Sequence, residues 1–181
     1  RNIMIGQNSA SVVADAFVKG LKGYDIEQLW KAVTRGANDH LKETASGRVG
    51  YEYYNKLGYV PNNVSVGQNV ARTLEYAYND WSIYQLGKVL GKSANELEQY
   101  KKGALNYKNV YNPKYKMMCG KDDKGVFNPQ FKPEDWSNEF CEGNSWHWSF
   151  CVFHDPQGLI DLMGGKDTFN QMMDSVFIIP S

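Results

Sequence analysis

From Gly67 to Leu90 the chain carries two apolar stripes at helical spacing. Val70, Leu74, Ala77, Trp81 and Tyr84 step by four, three, four and three, while Ile83, Leu86 and Leu90 form a second row. A helix that is apolar on two faces has to be covered from both sides, so it belongs inside a helical layer. Gly91 ends it, and Ser93 to Glu96 has the spacing of a capping box that opens another helix. There Leu97, Tyr100, Ala104, Tyr107 and Tyr111 repeat by threes and fours until Pro113. The two segments predict an antiparallel hairpin.

The rest of the chain fits around such a hairpin. Ser9 to Lys19 reads as a helix with Val12, Val13, Ala16 and Phe17 on one face, closed by Gly20. Asp25 stands in capping position before Ile26, Leu29, Trp30 and Val33, which predicts a second helix to about Leu41, with His40 at its solvated end. From Ala45 to Val64, glycines, Pro61 and an Asn-Asn pair interrupt four tyrosines, the pattern of a long aromatic-bearing loop. Another loop is expected from Asn112 to Pro133, with a short hairpin near Met117 to Phe127 and a solvated turn at the K-D-D-K cluster. Asn144 to Phe153 is assigned as helix. Asp155-Pro156 is a cap and first-position pair for a short helix ending at Gly164, and Asp167 opens a last one with Phe169, Met172, Met173, Val176 and Phe177 on one face. About seven helices and almost no strand signal make the fold class all-α, and residues 1–181 are read as a single all-α domain.

Composition removes several function classes. Twenty basic and twenty acidic residues, with pI near 7, create no field that would gather nucleic acid. No apolar run approaches the about 18 residues of a transmembrane span. The start R-N-I-M-I-G has no secretory pattern and no initiator Met, so the chain is expected to be cut from something longer. Cys119, Cys141 and Cys151 neither make a disulfide framework nor form a C-x-x-C pair. A nucleophilic Cys151 beside His147 or His154 is weighed against an ordinary core cysteine, and the core reading is preferred.

Chemistry concentrates between Ser137 and Asp155. Nineteen residues hold Glu139, Glu142, His147, His154, two cysteines and five large aromatics. A carboxyl set among Trp136, Phe140, Trp146 and Trp148 would lose water around its ionised form and rise toward a pKa suited to proton donation. Indole faces also suit the C–H face of a pyranose. The competing reading is a buried helix whose Glu caps a backbone amide. Glu75 and Asp80, on the most buried helix, require a partner such as Arg72.

Five segments in order resemble the C-terminal catalytic domain of glycoside hydrolase family 92, the calcium-dependent exo-acting α-mannosidases. They are S-V-V-A-D-A-F-V-K-G (Ser11 to Gly20), K-L-G-Y-V-P (Lys56 to Pro61), R-T-L-E-Y-A-Y-N-D-W (Arg72 to Trp81), N-Y-K-N-V-Y-N-P (Asn106 to Pro113) and the run from Glu142 to Gly165. The resemblance implies antiparallel helical hairpins forming about half of an (α/α)6 toroid, so that the chain is a fragment of a larger catalytic domain. It also implies inverting hydrolysis of terminal α-mannosidic linkages. The acid of the family's E-G-N-x-W segment falls on Glu142, and Trp146, His154 and Asp155 become candidate substrate-binding residues, the first with packing between helices as its alternative and the last two with a supporting or capping role as theirs. A separate carboxylate serves as base in such a mechanism.

The family segments for that base and for the calcium ligands lie downstream of the matched ones, so the parent's calcium is expected to be held outside this chain. The implied partner is a mannose-containing glycan and the implied location periplasmic or secreted. Two departures stand out: Phe153 occupies a family Pro position, and no His stands near Gln7 and Asn8. The alternative function is a non-catalytic helical scaffold or carbohydrate-binding module.

Overall fold

A computed structural model describes residues 5–41 and 46–178. The two-faced helix is α4, Asn69–Val89, and it touches every core of the molecule. Val70, Leu74 and Ala77 enter the largest cluster, with Tyr107, Met117, Met118, Phe140 and Val152. Ile83 and Leu86 enter a second with Trp30, Val33 and Tyr100, and Tyr76 joins Tyr54 and Val60 in a third. Burying a large apolar side chain contributes about 1.5–3 kcal/mol, so α4 ties the three clusters together through Val70, Leu74, Tyr76, Ile83 and Leu86.

Helix α5, Ala94–Gly103, starts at Ser93 with both bonds of the capping box formed. Gly87 of α4 lies against Leu97 and Asp80 against Gly103, so residue numbers fall along one helix as they rise along the other. The hairpin is antiparallel, as expected. α1 (Ser9–Val18) and α2 (Ile26–Asn38) make a second hairpin, in which Gln7 reaches Val33 and Asp25 caps Gln28. Gln7 bonds Asn79, and Ala10 and Ala14 pack with Ile83 and Leu86, so α1 runs parallel to α4.

Several local expectations are corrected. α2 stops at Asn38, where the chain enters strand β1 (His40–Leu41), paired antiparallel with β2 (Ser46–Gly47). The side chain of His40 is outside the described set, as are residues 42–45. The expected loop after it contains α3, Tyr51–Leu57, which fits between Gly50 and Gly58, both left-handed. Glycine adopts that conformation freely, so two of them bracket a two-turn helix whose apolar pattern is too short to read.

The run to Pro113 is broken after Gly103: a 3-10 helix covers Asn106–Val110, and β3 (Tyr111–Asn112) pairs with β4 (Met117–Met118). An isolated bridge between Lys121 and Phe127 is all that forms of the further hairpin. α6 is only Ser145–Trp148, followed by α7 (Pro156–Leu162, capped by Asp155) and α8 (Lys166–Ser175). On α1 the covered residues are Ala10 and Ala14, while Val12 is exposed. The outer end of α8's apolar face, Phe177, is open as well.

Asp80 is tied to Arg48, not Arg72. Arg48 Nη1 lies 2.7 Å from Asp80 Oδ1, both side chains almost fully buried, and the guanidinium stacks over Tyr54 and Tyr76. The Tyr54 hydroxyl donates to Asp80 Oδ2 or the Gly103 carbonyl. A Cβ at residue 103 would overlap the Asp80 carboxylate, which is why glycine stands there. Replacing Arg48 by Ala strands a buried carboxylate and is expected to cost about 3–5 kcal/mol. The check is a urea unfolding curve, whose midpoint should drop sharply relative to wild type.

Candidate active site

The loop carrying Glu142 is fixed by its neighbours on both sides. Ahead of it, the Asn138 carbonyl accepts from Gln68 N–H and the Glu139 carbonyl from Val70 and Ala71 N–H, covering the free donors at the start of α4. Behind it, Asn144 caps α6 and exchanges a second bond with His147. Ser145 Oγ donates to the Met118 carbonyl at 2.6 Å, and Ser149 Oγ accepts from Met118 N–H, stapling α6 to β4. Trp148 closes the circle: its indole N–H donates to the Cys141 carbonyl at 2.8 Å. The run from Glu142 to Trp148 is thus a turn, a cap, an anchor and an aromatic tie.

Within that frame Glu142 adopts φ +49°, one of three non-glycine residues with positive φ among the described residues. Such a conformation is costly for a residue with a Cβ and tends to persist where surrounding structure imposes it, commonly at functional sites. The side chain is exposed. This corrects the expectation of a carboxyl enclosed by indoles: Trp136 is 71% exposed and edges against His147, Trp148 is turned to the Cys141 carbonyl, and Phe140 is inside the core.

The enclosed carboxylate of the stretch is Glu139. Its Oε2 accepts from Gly120 N–H and its Oε1 from the amides of Asn62 and Asn128.

Glu142, and Arg72 and Glu75 of α4, all act electrostatically on the Cys141 thiol. Arg72 does not pair with Glu75; its Nε donates to the Gly67 carbonyl. Glu75 is held instead by the Asn8 amide, and burial still pushes its carboxyl above the usual range. Asn8 is in turn set by Asn79, which also takes Gln7 N–H. The start of α1 is therefore joined to α4 by side-chain amides, without a histidine there.

His154 sits among Tyr78, Trp81 and Tyr107, with Nε2 2.7 Å from the Ala104 carbonyl. Both oxygens of Asp155 are engaged, one by Gly158 N–H and one by the Tyr107 hydroxyl, which fits capping. Trp146 packs against the main core. Cys151 has its thiol pushed up to about 11, chiefly by burial, and its sulfur faces the His147 carbonyl, not an imidazole. That is no activated nucleophile.

Calcium takes six to eight oxygen ligands. Among the described residues no three His, Cys, Asp or Glu side chains gather to hold an ion, and Glu139 spends both oxygens on amides. These residues do not fit calcium by themselves.

The model of the glycosyl hydrolase family 92 catalytic domain matches residues 1–181. The chain belongs to that family. Solved family 92 structures superpose closely. An inverting mannosidase from Bacteroides thetaiotaomicron is 43% identical, with TM-score 0.91 over 97% of this chain and 24% of its own. An α-mannosidase of the same organism, in complex with mannoimidazole, is 31% identical, with TM-score 0.90 over 99% of this chain and 23% of its own.

An uncharacterized secreted glycosidase of Arthroderma benhamiae is 29% identical over 93% of this chain and 26% of its own length. The chain therefore spans about a quarter of the length of the relatives it matches. Among the described residues no helix is long and apolar enough to cross a membrane.

His154 supplies a pH test. Burial lowers its pKa, so the folded state binds fewer protons than the unfolded one below about pH 6.5. The stabilisation is complete above the unfolded pKa and is lost as pH falls through the lower folded value. Between about pH 7 and pH 5 the thermal midpoint of wild type is expected to fall more than that of His154→Gln, as followed by circular dichroism.

Proposed function

We propose that this chain carries the acid-bearing part of an inverting α-mannosidase active site, with Glu142 protonating the departing glycosidic oxygen. The observation that carries this reading is the setting of Glu142: a strained, left-handed residue, locked through Asn138, Glu139 and Trp148, that presents a carboxyl on an open surface. Family membership and the mannosidase titles of the similar structures support the choice of sugar and of inversion. In this reading the 181 residues are one all-α unit of a larger (α/α)6 domain, supported by the parallel stacking of like helices in its two hairpins.

The chemistry follows from what an inverting enzyme needs. Water attacks the anomeric carbon from one face while the leaving oxygen takes a proton on the other, the two carboxyl groups lying about 6.5–9.5 Å apart. Glu139 is unsuited as the base, since three hydrogen bonds hold its carboxylate. The base and any calcium ligands then come from elsewhere in an enzyme of the relatives' length. Arg72 offers donors to sugar hydroxyls, and His154 and Asp155 brace the aromatic wall of Tyr78, Trp81 and Tyr107. Terminal mannose on a glycan is the substrate class, and secretion or a periplasmic location fits the secreted fungal relative.

In the full-length enzyme, Glu142→Gln is expected to lose about 10²–10⁴-fold in kcat on an unactivated α-mannoside, the usual worth of a positioned acid. It should keep most of its rate on a dinitrophenyl mannoside, whose leaving group needs no proton. Equal losses on both substrates would sink the assignment. The exposure of Glu142 favours a second reading for the chain taken alone, namely sugar binding without turnover.

A chelator supplies the metal test: EDTA should abolish hydrolysis by the full-length enzyme yet leave the unfolding of this 181-residue chain unshifted. A chelator-induced drop in the unfolding midpoint of the chain itself would place calcium ligands within it.

A further inference from the structure

Trp136 is 71% exposed, and the ring contact it makes is T-shaped, to His147 at 6.1 Å between centroids. Such a contact covers at most one indole face, so the other is open to solvent. The segment carrying this indole is pinned to the motif of Glu142. The Pro133 carbonyl accepts from Ser145 N–H at 3.2 Å, and the Glu134 carbonyl from the Asn144 side-chain amide at 3.1 Å. Asp135 N–H donates to the Lys132 carbonyl, and beyond Trp136 the chain is anchored by Phe140 in the core. An aromatic side chain on a segment held from both ends loses little freedom when a ligand settles on it.

His147 bridges the indole and the acid's loop. Its Nδ1 accepts from Asn144 N–H at 3.1 Å and lies against Gly143, where a Cβ would come 3.1 Å from the same atom. With Nδ1 an acceptor, the neutral ring carries its proton on Nε2, a donor on an exposed side chain. Trp136, His147 and Gly143 are thus neighbours in series, and Glu142 is the next residue of the chain. Unlike the buried polar atoms of the core, the side chains of Trp136, His147 and Glu142 are all open to a ligand.

The position selects the ligand. An acid of an inverting glycosidase gives its proton to the oxygen that joins the cleaved sugar to its leaving group. Groups flanking the acid on its own loop therefore meet the leaving group. An open indole covers the C–H face of a pyranose, and an imidazole N–H can donate to a ring hydroxyl. Glu134 and Asp135 are exposed immediately before Trp136, and like-charge repulsion from them disfavours a phosphate there. We propose that Trp136, with His147 at its side, is the platform on which the leaving sugar stacks, so that the substrate is mannose joined to a neutral sugar and not to a phosphate. This rests on Glu142 as the acid.

The test uses the full-length enzyme with an α-linked mannobiose and with α-mannosyl fluoride, which has no leaving sugar and needs no acid. Trp136→Ala is expected to lower kcat/KM on the disaccharide relative to the fluoride by about tenfold, the worth of one aromatic contact, mainly through KM. Trp136→Phe, which keeps a ring face, should recover most of that loss. Equal losses on the two substrates, or none on either, overturn the proposal. So does a fall in the thermal midpoint of Trp136→Ala, which would show another part of the enzyme covering the indole. Glu142→Gln separates the two readings. If it loses the disaccharide and keeps the fluoride while Trp136→Ala matches wild type, the acid stands and the platform falls; wild-type rates on the disaccharide in Glu142→Gln remove both.

Discussion

Glu139 joins segments far apart in the sequence. Its carbonyl receives the N–H groups of Val70 and Ala71, its Oε2 the N–H of Gly120, and its Oε1 the amides of Asn62 and Asn128. Hydrogen bonds to a charged group contribute about 1.5–3 kcal/mol each, more when breaking them leaves the charge buried. One residue thereby fastens the approach to α6 onto the end of α4 and onto the loop after β4. Gly120 is part of the same device, since a Cβ there would occupy the carboxylate's place. Glu142, three residues on, takes its position from this clamp, with Trp148 holding the Cys141 carbonyl from the other side.

α4 lets that local clamp matter to the whole chain. Its first half carries Glu139 at its N-terminus and Arg72 and Glu75 on its flank, and its second half carries Asp80 and the packing with α1, α2 and α5. Close packing transmits displacement poorly absorbed by rotamer change. A shift of α4 therefore moves the surface around Glu142 and the Arg48–Asp80 pair together. The amide series Gln7, Asn79, Asn8, Glu75 adds a polar link from α1 to the same flank.

Features determined within one or two helical turns were legible in the sequence. The caps Asp25, Ser93 and Asp155, the two-sided pattern of α4 and the all-α class all follow from spacing, because the residues that set them are neighbours in the chain. Features set by remote partners were not. Nothing near Asp80 names Arg48, whose side chain arrives from 32 positions earlier, and Arg72, the nearer cation, spends its Nε on a carbonyl.

α3 was hidden because seven residues give too little periodicity, and its limits are set by two left-handed glycines. The break after Gly103 follows from the fit against Asp80, which no periodicity of α5 records. The resemblance to family 92 directed attention to Glu142 within its motif, while its solvent setting was invisible to composition: aromatic neighbours in sequence became a core residue, a tie and an exposed edge.

The exposure of Glu142 bears on how an acid here would be tuned. A carboxyl in water ionises near pH 4, so donating a proton at neutral pH requires desolvation or a nearby negative charge. Glu75, on the flank of α4, is held by the neutral Asn8 amide in place of a cation. Desolvation is not provided by Trp136, which edges against an exposed imidazole, nor by Trp148, whose indole N–H is committed to the backbone. On the proposed reading, the covering surface is the one that also brings the base. Substrate binding then closes both faces of the sugar at once, and the site is complete only when the glycosidic oxygen is in place.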